Sequence, residues 1–172
     1  MAVKIWDPVV IICHWTLVSA FFINYFILDP GGDIHQIAGY TALCAVVIRI
    51  AWSFFSPGFA NVSHFSITPE SIKSHLKHLR TRNIPLKSGH NPLGWLMIIA
   101  TWTLFIALAV SGFMFEEIDM FFGNALLESL HAIFANVLYG IVIVHILAVV
   151  FVGWWGRIEL IKPMITGKRN EK

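Results

Sequence analysis

Four apolar stretches, each long enough to cross a bilayer, constrain this chain more than any other feature. Crossing about 30 Å of hydrocarbon takes roughly 20 helical residues, and the stretches run over residues 9–28, 34–55, 93–115 and 130–155 of the 172. Inside them Arg49 is the only fully charged residue; the main polar interruptions are His14, Asn24, His35, His131, Asn136 and His145. A soluble domain of this size must leave about 30% of its chain surface in water. With 57% hydrophobic and 13% charged residues, against roughly 45–50% and about 25% in soluble domains, this chain reads instead as one integral membrane domain over 1–172. The first stretch is too long for a typical signal-peptide core and lacks a small-x-small cleavage site, so it is kept as a mature span.

The connections differ sharply in charge. Residues 29–33 and 116–129 contain six acids (Asp29, Asp33, Glu116, Glu117, Asp119, Glu128) and no Lys or Arg. Every basic residue except Arg49 falls on the other side: Lys4 before the first span; Lys73, Lys77, Arg80, Arg82 and Lys87 in the middle loop, 56–92; Arg157, Lys162, Lys168, Arg169 and Lys172 in the tail. The positive-inside rule then puts both termini and that loop in the cytoplasm. The basic surplus is a topology and lipid-headgroup signal, and no compact basic domain exists to dock nucleic acid. Within the loop, Thr68-Pro69-Glu70 predicts a helix start with Thr68 as N-cap. Ile72, Leu76 and Leu79 are expected on its apolar face, with Lys73, Lys77 and Arg80 opposite, a helix lying on the inner leaflet.

Intramembrane histidines are costly and point to function. His131 and His145 are 14 residues apart on one span, within about 40° of four full turns and about 21 Å apart along the axis. They share a face at two depths. His35 opens the second span at the level of His131, whereas His14, near the start of the first, lies closest to the level of His145. Two depth-matched imidazole pairs are what bis-histidine haem ligation asks of a four-helix bundle. A zinc or copper site would want three or four ligands converging at one depth. Cys13 and Cys44 are not placed to form an obvious bridge, and no C-x-x-C-H motif for thioether-attached haem exists. No Asp or Glu lies within a span, which disfavours a haem-free ion transporter.

Small residues follow the histidines: Gly39 one turn past His35, Ala135 one turn past His131, and Ala148 three residues past His145. Each fits either close approach of a flat macrocycle or a helix contact. Arg49 follows His35 by 14 residues, hence the same face about 21 Å deeper. It would pair with a haem propionate or snorkel to the headgroups.

The residues together resemble the bacterial cytochrome b561 family and the related cytochrome b subunits of membrane-bound hydrogenases and formate dehydrogenases. The resemblance rests on Trp6-Asp7-Pro8 with His14-Trp15, His35-x-x-x-Gly39-Tyr40 followed by Arg49, and Gly89-His90-Asn91-Pro92 before the third span. It continues through His131, Ala135-Asn136, Tyr139-Gly140 and His145 to Pro163-Met164-Ile165-Thr166-Gly167. It departs at Ile11, where members often carry Arg. The resemblance implies an all-α integral membrane four-helix bundle with two b haems on His14, His35, His131 and His145. It also implies a multi-pass cytochrome of the bacterial inner membrane that exchanges electrons with ubiquinone or menaquinone, with a dehydrogenase as a candidate partner, while the acidic outer loops suit docking of a basic donor such as a c-type cytochrome. A superoxide:quinone oxidoreductase is the alternative, which leaves open whether the chain is an enzyme. His90 either lines a quinone pocket or caps the third span. His64, His75 and His78 are expected as solvated or interfacial side chains, and Trp102, Trp154 and Trp155 serve equally as interface anchors or redox-site residues.

Overall fold

The computed structural model describes residues 2–82, 85 and 89–170. Lys87 and Lys172, counted among the basic residues above, lie outside the described residues. The chain runs β1 (Ala2–Lys4), α1 (Pro8–Phe26), α2 (Asp33–Phe55), a 3-10 turn (Val62–His64), α3 (Pro69–Arg80), α4 (Pro92–Glu117), a second 3-10 turn (Asp119–Phe121), α5 (Ala125–Trp155), α6 (Pro163–Thr166) and β2 (Lys168–Asn170). Helices α1, α2, α4 and α5 are long and apolar enough to cross a membrane. Their wide exposure of large apolar side chains fits lipid as the surrounding solvent.

Proline and a polar cap start α1, α3 and α4. Asp7 caps α1, accepting from the Val10 amide at 3.1 Å, and Asn91 caps α4, accepting from Gly94 at 2.6 Å. In both, Pro follows at the first helical position, where its missing N–H is harmless. Helix α3 starts as expected, with Thr68 and Ser71 in a reciprocal capping box. The last long helix begins earlier than its apolar pattern predicts. Asn124 caps both Leu126 and Leu127, so Glu128 and Ser129, expected in a loop, belong to the first turns of α5, where an acid favours the helix dipole.

Helix α1 packs on α2, α4 on α5, and α2 on α4. Ala20, Ala42, Val46, Phe105 and Leu138 form the central core. Leu138 is 1% exposed and stands seven residues from both His131 and His145, which keeps it near their helix face. The bundle is thus tightest midway between the two histidine levels. A second cluster of Ile5, Trp6, Val10 and Ala60 closes the end that carries both termini.

That end, which also holds the basic residues, is tied by the β1–β2 pair, with Val3 opposite Arg169. Ile5 and Trp6 both donate to the Gly167 carbonyl, at 2.8 and 3.1 Å. Gly167 has φ +74°, and a Cβ there would lie 2.8 Å from the Trp6 carbonyl oxygen; only glycine allows this approach. Asp7 also accepts from Trp52 Nε1 at 3.0 Å and the Ser56 hydroxyl at 3.3 Å, joining α1 to the end of α2. Burial alone would raise the Asp7 carboxyl, but these bonds and those of the Val10 and Val9 amides hold it below its ordinary value.

The apolar face expected on α3 is shifted. His75 is buried with Ile72 and Leu79 half-buried beside it, whereas Leu76 is 52% exposed. The tether explains this: Trp155 Nε1 donates to the Leu79 carbonyl at 3.0 Å, and the Arg82 guanidinium sits 3.9 Å from the Trp155 ring centre. Those contacts fix the roll of α3 and turn its histidines inward.

Candidate functional site

The four span histidines meet in two pairs. His35 on α2 faces His131 on α5 with ring centres 6.2 Å apart, and His14 on α1 faces His145 on α5 at 6.4 Å. The rings within each pair are inclined by 54° and 55°. Two imidazoles bound to one metal at about 2 Å each, with the half-width of each ring added, have centres about 6 Å apart. At these separations each pair fits two imidazoles that would together hold one haem iron.

Ser111 on α4 orients His131. Its hydroxyl donates to the Leu108 carbonyl at 3.1 Å, and the same oxygen lies 2.9 Å from His131 Nδ1. With the serine hydroxyl donating to Leu108, Oγ accepts from an Nδ1–H, which leaves the Nε2 lone pair free for a metal. The next residue is Gly112, where an added Cβ would lie 3.4 Å from His131 Cε1. Neither Ser111 nor Gly112 was singled out from sequence. The available signal was weak, a Ser-Gly pair inside an otherwise apolar span. On the facing side, His35 Nδ1 is buried without a hydrogen-bond partner.

A 620 Å³ cavity surrounds the His35–His131 pair, inside the usual range of about 300–1,000 Å³ for cofactor and ligand sites. Its walls include Gly39, Tyr40, Phe105, Ala135 and Leu138, with Glu116 and Glu128 at the acidic end. Gly39 and Ala135 thus stand where close approach to a flat group was expected. Ala148 does not; it is exposed. Helices α1 and α5 also meet at this level through side chains. Tyr25 donates to Asn136 at 2.8 Å and stacks on Tyr139 with ring centres 5.0 Å apart.

Arg49 is 6% exposed, with Nη1 buried and without a hydrogen-bond partner. It does not snorkel. Its guanidinium lies 5.8 Å from the Trp102 ring centre, and its charge, together with His14 and His145, acts on His90. Arg49 and the His14–His145 pair thus share His90 as a neighbour, although the helix of Arg49 also carries His35. A buried cation with an orphaned donor fits an anionic carboxylate such as a propionate. Asn91, not His90, caps α4. His90 packs between Trp6 (ring centres 4.4 Å apart) and Trp95 (5.5 Å). Burial, then the charges of Arg49, His14 and His145, push its imidazole down to about 3, so it is neutral at physiological pH. His75 is also lowered, by burial first.

Ile11, at the departure from the family pattern, packs against the core at the basic end. Trp155 anchors α3 through the Leu79 carbonyl. Among known families, the model described as prokaryotic cytochrome b561 matches residues 5–167 of the chain. No curated protein and no solved structure matches it.

Proposed function

The chain belongs to the prokaryotic cytochrome b561 family, and from that footing we propose that it is a di-haem electron carrier of the bacterial inner membrane, linking the quinone pool to a redox partner. The observation that carries this reading is the pair of facing imidazole sets, 6.2 and 6.4 Å between ring centres, on one face of α5 and about 21 Å apart along it. When bound, each haem b would supply one-electron iron chemistry.

The chain's own residues do the rest. His35 and His131 would hold one haem and His14 and His145 the other, with Ser111 fixing the ring of His131. Gly39 leaves the cavity wall flat beside His35, and Arg49 supplies a positive charge near the His14–His145 pair. Leu138 and its neighbours exclude water from the mid-bundle, which keeps the surroundings of both pairs at low dielectric. The basic end supports an orientation with both termini in the cytoplasm.

Family membership supports ubiquinone or menaquinone as one partner. Glu116 and Glu128 at the acidic-end cavity support a basic donor, such as a c-type cytochrome or a basic dehydrogenase subunit, at the other. The same acids oppose an approaching anion, so oxidation of superoxide is the less favoured alternative, and nothing calls for a haem-free transporter. The test is a redox-titrated absorption spectrum of haem-replete protein with and without a reduced quinol. Two b-type components, both reduced by quinol, are expected. A colourless protein or a single component would overturn the di-haem reading, and two components that quinol leaves oxidised would overturn the quinone link.

A further inference from the structure

Two buried donors in the basic half of the bundle have no acceptor in the fold, Nη1 of Arg49 and Nε1 of Trp95. Arg49 is 6% exposed and Trp95 3%, so bulk water is out of reach of both. The Trp95 indole packs against His90 and Phe65, with ring centres 5.5 Å away in each case. Those contacts occupy its faces and edges but leave the N–H unanswered. A buried N–H without an acceptor is destabilising, and it calls for a group that the chain itself does not supply.

The helix ends fix the depth of both donors. Trp6 and His90 lie with ring centres 4.4 Å apart, immediately before Asp7 and Asn91, the N-caps of α1 and α4. The two helices therefore start at one depth. His14 stands seven residues past its cap and Trp95 four past its own, which puts the indole about 4.5 Å nearer the basic end than the His14 level. Ser56, the C-cap of α2, donates to Asp7, and Arg49 precedes Ser56 by seven residues, hence it lies at about the level of His14. His90 joins the group laterally, touching Trp95 while the charges of Arg49, His14 and His145 act on it.

The donors select the acceptor. A guanidinium and an indole N–H donate and cannot accept, and a buried cation favours an anionic oxygen beside it. The carboxylate that acts on Arg49 is Asp7, but its oxygens accept from Val10, Trp52 and Ser56, and Nη1 stays orphaned. A b haem carries two carboxylate arms, and the orphaned donors at this depth are two.

We propose that Trp95 is a haem-binding residue, its indole N–H donating to one propionate of the haem held by His14 and His145 while Arg49 takes the other. This rests on the di-haem reading and adds to it a residue that neither ligates iron nor carries charge.

Haem-replete full-length protein in detergent provides the test, with the His14–His145 component identified as the one absent from His14→Ala. Trp95→Phe keeps an aromatic ring between His90 and Phe65 and removes the N–H. Transfer of haem to excess apomyoglobin should become roughly tenfold faster or more from the His14–His145 site, the loss expected for one hydrogen bond to a charged acceptor. Transfer from the His35–His131 site should change far less, and the resonance Raman propionate bending band of the His14–His145 haem should shift. A contrast between the two sites smaller than roughly fivefold, or an unshifted band, overturns the proposal; equal acceleration at both would mean loosened packing. If Trp95→Phe does not assemble, a tryptophan analogue with sulfur in place of the indole N–H, installed at position 95, is judged by the same contrast and the same band. Wild-type protein without a His14-dependent component would overturn the di-haem reading and this proposal with it. Protein that keeps the component but fails the contrast overturns the proposal alone.

Discussion

Ser111 Oγ lies 2.9 Å from His131 Nδ1 while its hydroxyl donates a hydrogen bond to the Leu108 carbonyl, whereas the opposing His35 Nδ1 is buried with no partner. The two imidazoles of this pair are therefore electronically unequal. An Nδ1–H that donates a hydrogen bond makes its ring a stronger electron donor at Nε2, which favours oxidised iron. Ser111→Ala should raise the midpoint potential of the haem held by His35 and His131. One net hydrogen bond of about 1 kcal/mol sets the ceiling at about 40 mV for a one-electron couple. Redox titration of the variant checks this, and an unchanged or lowered potential would remove Ser111 from the site.

Pairing by depth has a direct consequence in spectra. His35→Ala and His131→Ala should each abolish the same b-type component, and His14→Ala and His145→Ala the other. Ring separations of 6.2 and 6.4 Å exist only within those pairs, and crossing them would ask one haem to bridge much of the roughly 21 Å between the α5 ligands. Loss of the same component from His14 and His131 variants would refute the pairing.

Arg49 shares a helix with His35, but in the proposed function its charge serves the other level. A buried guanidinium stabilises the electron added to a nearby iron, so Arg49→Gln should lower the midpoint potential of the His14–His145 component and leave the other nearly unchanged. Titration of both components in one sample separates the outcomes, and equal shifts would contradict the position of Arg49.

Asp7 joins the start of α1 to the end of α2 through Val10, Trp52 and Ser56. Asp7→Ala removes an N-cap and leaves the partly buried Trp52 and Ser56 donors without an acceptor, a loss of about 2 kcal/mol. Because the folded carboxyl sits below its unfolded value of 3.8, its stabilisation is complete above that pH and disappears as the pH falls through the folded value. Thermal unfolding at pH 7 should show a lowered midpoint for the variant, and the gap should narrow only in strong acid.

His90 acts in the opposite pH window. Its folded value of about 3 lies below the unfolded 6.5, so from pH 6.5 downward the unfolded chain binds a proton that the folded chain refuses, and stability falls. The slope from this residue is at most about 1.4 kcal/mol per pH unit. His90→Gln should flatten the decline between pH 6.5 and 5, measured by unfolding at each pH. His75, lowered for the same reason, should leave a residual slope.

The sequence by itself determined the four crossings, the basic and acidic ends, and the shared face of His131 and His145. Hydrocarbon thickness fixes how long an apolar helix must be, and helical periodicity fixes which residues share a side, so both are local properties. The start of α3 at Thr68 is equally local, since a capping box closes within four residues. What only tertiary structure decided depends on the roll and height of one helix against another. The apolar pattern of α3 favours Leu76, yet anchoring by Trp155 turns His75 inward instead. Ser111 meets His131 across 20 residues of sequence and two helices, and Arg49 keeps its charge buried among groups from other helices. None of these contacts has a spacing that a single segment could encode.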